Sequence, residues 1–174
     1  SIHESTNIWN FNSSFVRNCA VYGAHEHVGS NKKATKGGGI FIEYCKNVFS
    51  TLMLFGKNTA DLGGEMYIHD VGQIITKHSS VFIHNIAKLS GGSIYINNTI
   101  FIANEDCIFF NNTALDSGGA VYIFQNKQDF LNHINVDYFK PGGNINQYWM
   151  FNVLNINCSF GRNQAQEGGA LFTE

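Results

Sequence analysis

FFNNTA (Phe109–Ala114), followed after three residues by GGAVYI (Gly118–Ile123), is the stretch on which the fold turns, because the chain repeats it. The first half recurs as FVRNCA (Phe15–Ala20), FGKNTA (Phe55–Ala60), FIHNIA (Phe82–Ala87) and FGRNQA (Phe160–Ala165). The second half recurs as GGGIFI (Gly37–Ile42), GGEMYI (Gly63–Ile68), GGSIYI (Gly91–Ile96) and GGALFT (Gly168–Thr173). Asn58, Asn85 and Asn112 stand 27 residues apart. A constant period of this size marks stacked repeats, in which each unit buries its apolar face only against its neighbours.

The repeat is built of strands. No clean 3.6-residue pattern runs between the Gly-Gly phrases. Short runs rich in Ile, Val, Phe and Tyr appear instead, bounded by Gly, Asn and Asp. The chain holds 22 Asn and 18 Gly, which suit tight turns because both tolerate positive φ. A helical solenoid would avoid Gly, at roughly 1 kcal/mol each. The expectation is an all-β fold, a parallel β-solenoid of about 27 residues per rung and five or six rungs. Matching residues then stack at about 4.8 Å.

Strand alternation assigns the columns. Ile40, Met66, Ile94, Val121 and Leu171 face inward, as do Ile42, Ile68, Ile96, Ile123 and Thr173. The aromatic column between them, Phe41, Tyr67, Tyr95, Tyr122 and Phe172, faces outward. Phe15, Phe55, Phe82, Phe109 and Phe160 form the core. Asn18, Asn58, Asn85, Asn112 and Asn163 form an internal amide ladder at a turn, each stacked amide satisfying the next. The second glycine of a pair, Gly92 for example, is expected to need positive φ.

Two stretches break the period. Asn18 to Asn58 is 40 residues and Asn112 to Asn163 is 51. The chain is therefore one solenoid domain, 1–174, with loop insertions expected at 21–36 and 124–150. The alternative for the second is an extra rung.

Composition narrows the function. Net charge is −2 and only 14% of residues are charged, which argues against nucleic acid. No run of about 18 apolar residues predicts a membrane span. Ser1–Phe11 lacks the basic start and apolar centre of a signal peptide, so a removed leader or an interior piece of a longer chain is expected. Four cysteines, Cys19, Cys45, Cys107 and Cys158, fit no zinc spacing. Four sequons stand at Asn12, Asn97, Asn111 and Asn157. Together they favour an oxidising, extracellular setting, with N-linked glycans and disulfides. Cys107 and Cys158 each lie two residues before a repeat Phe, so they share a column and pair across adjacent rungs. Cys19–Cys45 follows by elimination.

Little of the sequence points to chemistry. His25-Glu26-His27 is a weak metal candidate in a loop, and no metal or cofactor is expected. Asp61 and Asp116 precede Gly-Gly pairs, with Lys88 in the intervening copy; turn roles account for them better than an acid–base pair does. The stacked aromatics could bind sugars or serve only as structural stacking.

The alternation of Gly-Gly-Ala-[Ile/Leu/Val] with Phe-x-x-Asn resembles the repeats of the chlamydial polymorphic outer membrane proteins, and of large protist surface proteins. GGAV (Gly118–Val121) and GGAL (Gly168–Leu171) match strictly, the other pairs loosely, and all five Phe-x-x-Asn tetrads match. The resemblance covers most of the chain outside the two insertions. It implies a right-handed β-helix displayed outside the cell, with structural or adhesive roles. The chain departs from it in showing no β-barrel translocator and in carrying sequons. The expected function is an extracellular, glycosylated structural or surface-adhesive solenoid rather than an enzyme. The alternatives are a β-helix polysaccharide lyase or hydrolase, and an adhesin module for a cell-surface glycan or protein. End-to-end assembly with copies of itself is also expected. A copy following Glu174 would set its Phe15 almost in phase: its separation from Phe172 nearly equals those of Phe41 from Phe55, Tyr67 from Phe82 and Tyr95 from Phe109.

Overall fold

A computed structural model describes residues 2–3, 7–11, 13–18, 34–45, 47–77, 79–125 and 152–173. They form strands and turns, with no helix among the described residues. The first pass of the chain holds β1 (Ile2–His3), β2 (Asn7–Phe11) and β3 (Ser14–Val16). The second holds β4 (Ile40–Glu43), β5 (Asn47–Thr51), β6 (Leu54–Gly56) and β7 (Thr59–Ala60). In the third, β8 (Met66–Lys77) runs through two strand positions before β9 (Val81–Ile83) and β10 (Ile86–Ala87). The fourth repeats this with β11 (Ile94–Glu105), β12 (Ile108–Phe110) and β13 (Thr113–Ala114). Then come β14 (Val121–Phe124), β15 (Asn152–Ile156), β16 (Ser159–Gly161) and β17 (Leu171–Thr173).

Every pairing between these strands is parallel, and the strands fall into three sheets. One has the order β1-β4-β8-β11-β14-β17, with β2 and β5 continuing it beside β8 and β15 beside β11. The second runs β16-β12-β9-β6-β3 and the third β13-β10-β7. Each pass visits the sheets in the same sequence. Phe15, Phe55, Phe82, Phe109 and Phe160 pair in register. Their rings stack inside, with centroids 4.6–5.7 Å apart. The steps from Phe55 to Phe82 and from Phe82 to Phe109 are equal. Against them, the step from Ile40 to Met66 is one residue shorter and that from Met66 to Ile94 one residue longer. Corners absorb these single-residue differences while the columns hold.

The flanks of both long gaps lie on a single neighbour. β14 pairs with Ile94–Asn97 and β15 with Phe101–Glu105 of the same strand, β11. β14 ends at Phe124, and β15 begins at Asn152 beside the same strand. Likewise Asn18 bonds to Asn58 and Lys36 bridges to Leu62. Residues 19–33 and 126–151 lie outside the described residues, as do Asn12 and the His25-Glu26-His27 motif.

Ile40, Ile42, Met66, Ile68, Ile94, Ile96, Val121 and Ile123 are buried in one continuous core with the Phe stack. Leu171 and Thr173 are exposed. The aromatic column lies outside the core cluster, as parity expects, but it is not exposed along its length. It points away from the core, yet Tyr67 is only 3% exposed and Tyr122 only 7%. Phe41, Tyr67, Tyr95, Tyr122 and Phe172 stack nearly parallel, centroids 4.9–5.6 Å apart, so each ring covers the next.

Candidate functional site

The repeat unit is itself the built feature of this molecule, and each motif residue has a physical task. In Phe-x-x-Asn the phenylalanine fills the core and the asparagine ties three passes together. Asn85 Oδ1 accepts from the backbone N of Asn58 at 3.0 Å and from its Nδ2 at 3.2 Å. Asn85 Nδ2 donates to Asn112 Oδ1 at 3.2 Å and back to the carbonyl of Phe55 at 3.2 Å. The same set recurs around Asn112, and Asn163 Nδ2 donates to Phe109 O at 3.0 Å. The ladder thus satisfies turn groups that the strands leave unpaired. The alanine two residues on is buried at the tight corner at Ala60, Ala87 and Ala114.

Asn85→Ala should therefore lower stability by on the order of 3 kcal/mol, because two buried backbone groups lose their partners. Asn163→Ala, at a half-buried position, should cost less. Paired urea melts check this, and equal costs at the two sites would contradict it.

The Gly-Gly pair divides its work in a way that corrects the sequence expectation. The first glycine carries positive φ: Gly37, Gly63, Gly91, Gly118 and Gly168 lie at 57–69°. The second, including Gly92, does not; it is small because another backbone lies against it. A Cβ on Gly92 would sit 2.1 Å from the Gly119 carbonyl oxygen. The next position is a column of Gly39, Glu65, Ser93, Ala120 and Ala170. There two successive N–H groups share one carbonyl: Glu65 and Met66 both donate to Ser93 O, and Ser93 and Ile94 both donate to Ala120 O.

Glu65 is the exception in that column. It is wholly buried. One carboxylate oxygen receives a short hydrogen bond from Asn58 Nδ2. The other, Oε1, lies over Gly39 and has no hydrogen-bond partner among the described residues. Burial pushes its pKa up to about 9, so the side chain is a neutral acid at pH 7. The signal was a charged residue at a repeat position otherwise occupied by Gly, Ser or Ala.

On the outer face, Lys36 Nζ stands 4.5 Å from the Tyr67 ring centroid and 6.0 Å from that of Phe41, at one end of the aromatic column. Sugar stacking needs free ring faces, and along this column the neighbouring rings occupy them. Beyond the rings, His69 Nε2 lies 3.2 Å from Asp70 Oδ2, and Asn98 Nδ2 donates to Asp70 Oδ1 at 3.0 Å. Asp70 and Asn98 share a left-handed corner with Tyr44, so this acid fastens a turn. No sequence pattern marked it.

The other sequence candidates are dispersed. Asp61 accepts from the Thr35 backbone N at 2.8 Å and pairs with Lys88 at 3.5 Å. The Thr35 hydrogen bond is the main cause that holds its carboxyl below the ordinary range. Asp116 is exposed. Among the described residues no three His, Cys, Asp or Glu side chains converge as metal ligands. Of the sequons, Asn157 is exposed at a left-handed corner, whereas the Asn111 amide donates to His84 and Asn97 is half-buried beside the Tyr67 hydroxyl. Asn12 and Cys19 lie outside the described residues. Cys107 and Cys158 stand in adjacent passes, with Ser159 N donating to Cys107 O at 2.9 Å. Both are thiols in this structure, as is Cys45, which sits in a different column beside Val71.

The family model of the Chlamydia polymorphic membrane protein repeat matches residues 106–123. That stretch holds one full phrase, from Asp106 through Phe109, Asn112 and Gly118–Gly119 to Ile123, and is a polymorphic-membrane-protein-like repeat. No curated protein and no solved structure matches the chain.

Proposed function

We propose that this chain is a right-handed parallel β-helix of about 27 residues per rung and five or six rungs, displayed at a cell surface as a structural or adhesive element. The matched repeat supports it, since the family that carries this repeat is one of surface membrane proteins. The observation that carries it is the continuity of the ladders: Phe, Asn and aromatic columns each run through five successive passes in register. A rigid rod of this kind serves by its shape and its length. The stretches at 21–36 and 124–150 enter as insertions, because the flanks of each pair with a single neighbouring pass. No helix among the described residues is long and apolar enough to cross a membrane.

The rod extends by stacking. The third sheet is bonded on at both ends, β7 by Asn18 and β13 by Gln164, whereas among the described residues β1 and β17 end the first sheet and β3 and β16 the second. Such edges present unpaired backbone groups along the stack axis and favour a further rung, from adjoining repeats or a second copy. The extracellular reading adds a glycan at Asn157, the best exposed of the described sequons, and a Cys107–Cys158 disulfide. Half-buried Cys158 is the accessible sulfur of that pair; burial pushes the Cys107 thiol up to about 12.

Secreted expression in a eukaryotic host tests these parts separately. Electron microscopy should show elongated particles that add end to end; a monodisperse monomer at high concentration would sink the stacking reading. Intact mass should exceed the bare chain by at least one glycan and fall by two hydrogens per disulfide. Reduction should then cost on the order of 4 kcal/mol of stability, from a closed loop of about 50 residues. Free thiols at both cysteines would overturn the link.

A further inference from the structure

The corner between the second and third sheets carries a column of five residues, three of them cations. The residue just before each ladder asparagine is Arg17, Lys57, His84, Asn111 or Arg162, with φ between 53° and 61°. Backbone bonds join these five into one column. Arg17 N donates to Gly56 O at 2.9 Å, Lys57 N to Ile83 O at 3.0 Å, His84 N to Phe110 O at 3.1 Å and Asn111 N to Gly161 O at 2.9 Å. The asparagines point inward, so this column points out. Arg17, Lys57, His84 and Arg162 are exposed and Asn111 is half-exposed.

The composition of this column is particular to it. Left-handed positions favour Gly, Asn and Asp. The left-handed column one corner earlier, Leu52, Ser79, Asp106 and Asn157, holds no cation. The whole chain has 11 Lys and Arg and a net charge of −2, so a basic surface does not account for three of them at five positions. The ion pairs among the described residues, His69–Asp70 and Lys88–Asp61, lie elsewhere. Within the column Asn111 Nδ2 donates to His84 Nδ1 at 2.6 Å, and the Arg162 guanidinium lies 5.5 Å from the Phe110 ring centroid.

We propose that this ridge binds a linear anionic polysaccharide, a chain of uronate or sulfate-bearing sugars lying along the stack axis. Arg17 and Lys57 stand one step apart, at roughly 4.8 Å, and Arg162 three steps beyond Lys57, so the three charges span about 19 Å along the stack. A linear polyanion lying along the stack axis can reach all three charges, with His84 and Asn111 between them as hydrogen-bonding groups. Exposed apolar side chains flank the ridge, Leu54 and Ile108 on one side and Ile86 and Leu115 on the other, and offer contact to the C–H faces of sugar rings. A lipid surface fits worse: at a convex corner the cations would enter the bilayer first and hold the apolar side chains back, the reverse of an interfacial face. Single-stranded nucleic acid fits worse too, because it needs free aromatic platforms for its bases and Phe110 is covered by Arg162. The surface reading places the ligand outside the cell, but the binding itself does not depend on that reading.

Titration calorimetry of the intact chain with heparin, a sulfated polysaccharide, tests the ridge. Neutral dextran and oligothymidylate are the comparison ligands. Heparin should bind, and its affinity should fall steadily with salt as counterions are released. Lys57→Glu and Arg162→Glu should each weaken binding about tenfold or more, a loss of about 1.4 kcal/mol per decade. Lys88→Glu, off the ridge, should weaken it less than about threefold. Circular dichroism and melting confirm that each variant is folded; if a reversal unfolds the chain, Lys57→Gln and Arg162→Gln remove the charge alone. No heparin binding at low salt, ridge variants that bind like the parent, or tighter binding of oligothymidylate than heparin would each overturn the proposal.

Discussion

Glu65→Gln is expected to raise the melting temperature at about pH 8 and to leave it nearly unchanged at about pH 4. Glu65 is buried without charge compensation, and its pKa rises from an ordinary 4.5 to about 9 through burial. The folded chain therefore holds a proton that the unfolded chain gives up between those values. The stability tied to this group is full below about 4.5 and is lost as pH rises toward 9. At pH 7 the loss is roughly 3 kcal/mol, at 1.36 kcal/mol per pH unit. Glutamine keeps the shape and the oxygen that accepts from Asn58 Nδ2, and it has no proton to lose.

For a chain of this size the gain corresponds to roughly 5–10 °C near neutral pH. Asp61 acts in the opposite direction, because its depressed carboxyl contributes stability that is lost as pH falls. Subtracting the variant's curve from the parent's removes that background. Parallel curves from pH 4 to about 9 would show that Glu65 is ionised in the fold, and that burial does not govern it. Glu65→Ala is the less informative variant, since it removes the proton and leaves a cavity at once.

The columns were legible because they repeat. Five Phe-x-x-Asn tetrads, three of them in succession 27 residues apart, reveal an inward ring and an inward amide, and strand parity extends the pattern to Ile42, Ile68, Ile96 and Ile123. What parity cannot show is how much one side chain covers the next. Tyr67 and Tyr122 point away from the core, but stacking at about 5 Å buries them against their own neighbours. Glu65 was hidden for a related reason. Its acid is visible in the sequence; its neighbours Asn58, across a turn, and Gly39, a full pass earlier, meet it only through the stack. The His69–Asp70 pair depends in the same way on Asn98, which belongs to the next pass. Position within a repeat was readable from one copy compared with the others. Contacts between copies needed the register, and the register differs by a residue or two from corner to corner.

The glycine pairs yield the other large effect, and it should differ steeply along the stack. Gly92→Ala is expected to cost about 4 kcal/mol or more, or to prevent folding, because the new methyl group meets backbone rather than a movable side chain. Its Cβ would lie 2.1 Å from Gly119 O and 2.7 Å from the Thr113 carbonyl. Relief requires the two passes to part, which breaks the Gly92 N to Gly118 O bond of 3.0 Å and its neighbours. Gly38, Gly64 and Gly119 face the same obstruction, at 2.2–2.3 Å from the carbonyl of the following pass. Gly169 does not: its nearest atom is Asn163 O at 3.1 Å, a contact that a shift of a few tenths of an ångström relieves. In the 174-residue chain alone, with no further pass stacked on it, Gly169→Ala should therefore cost no more than about 1 kcal/mol, and part of that is offset by the lower entropy of the unfolded chain. Neither Gly92 nor Gly169 has positive φ, so backbone strain is not what separates the two variants. Chemical denaturation of the pair decides the matter. Similar costs at both positions would mean that the second glycine is there for flexibility. A large loss confined to Gly92 would show that it is small because the next pass lies against it.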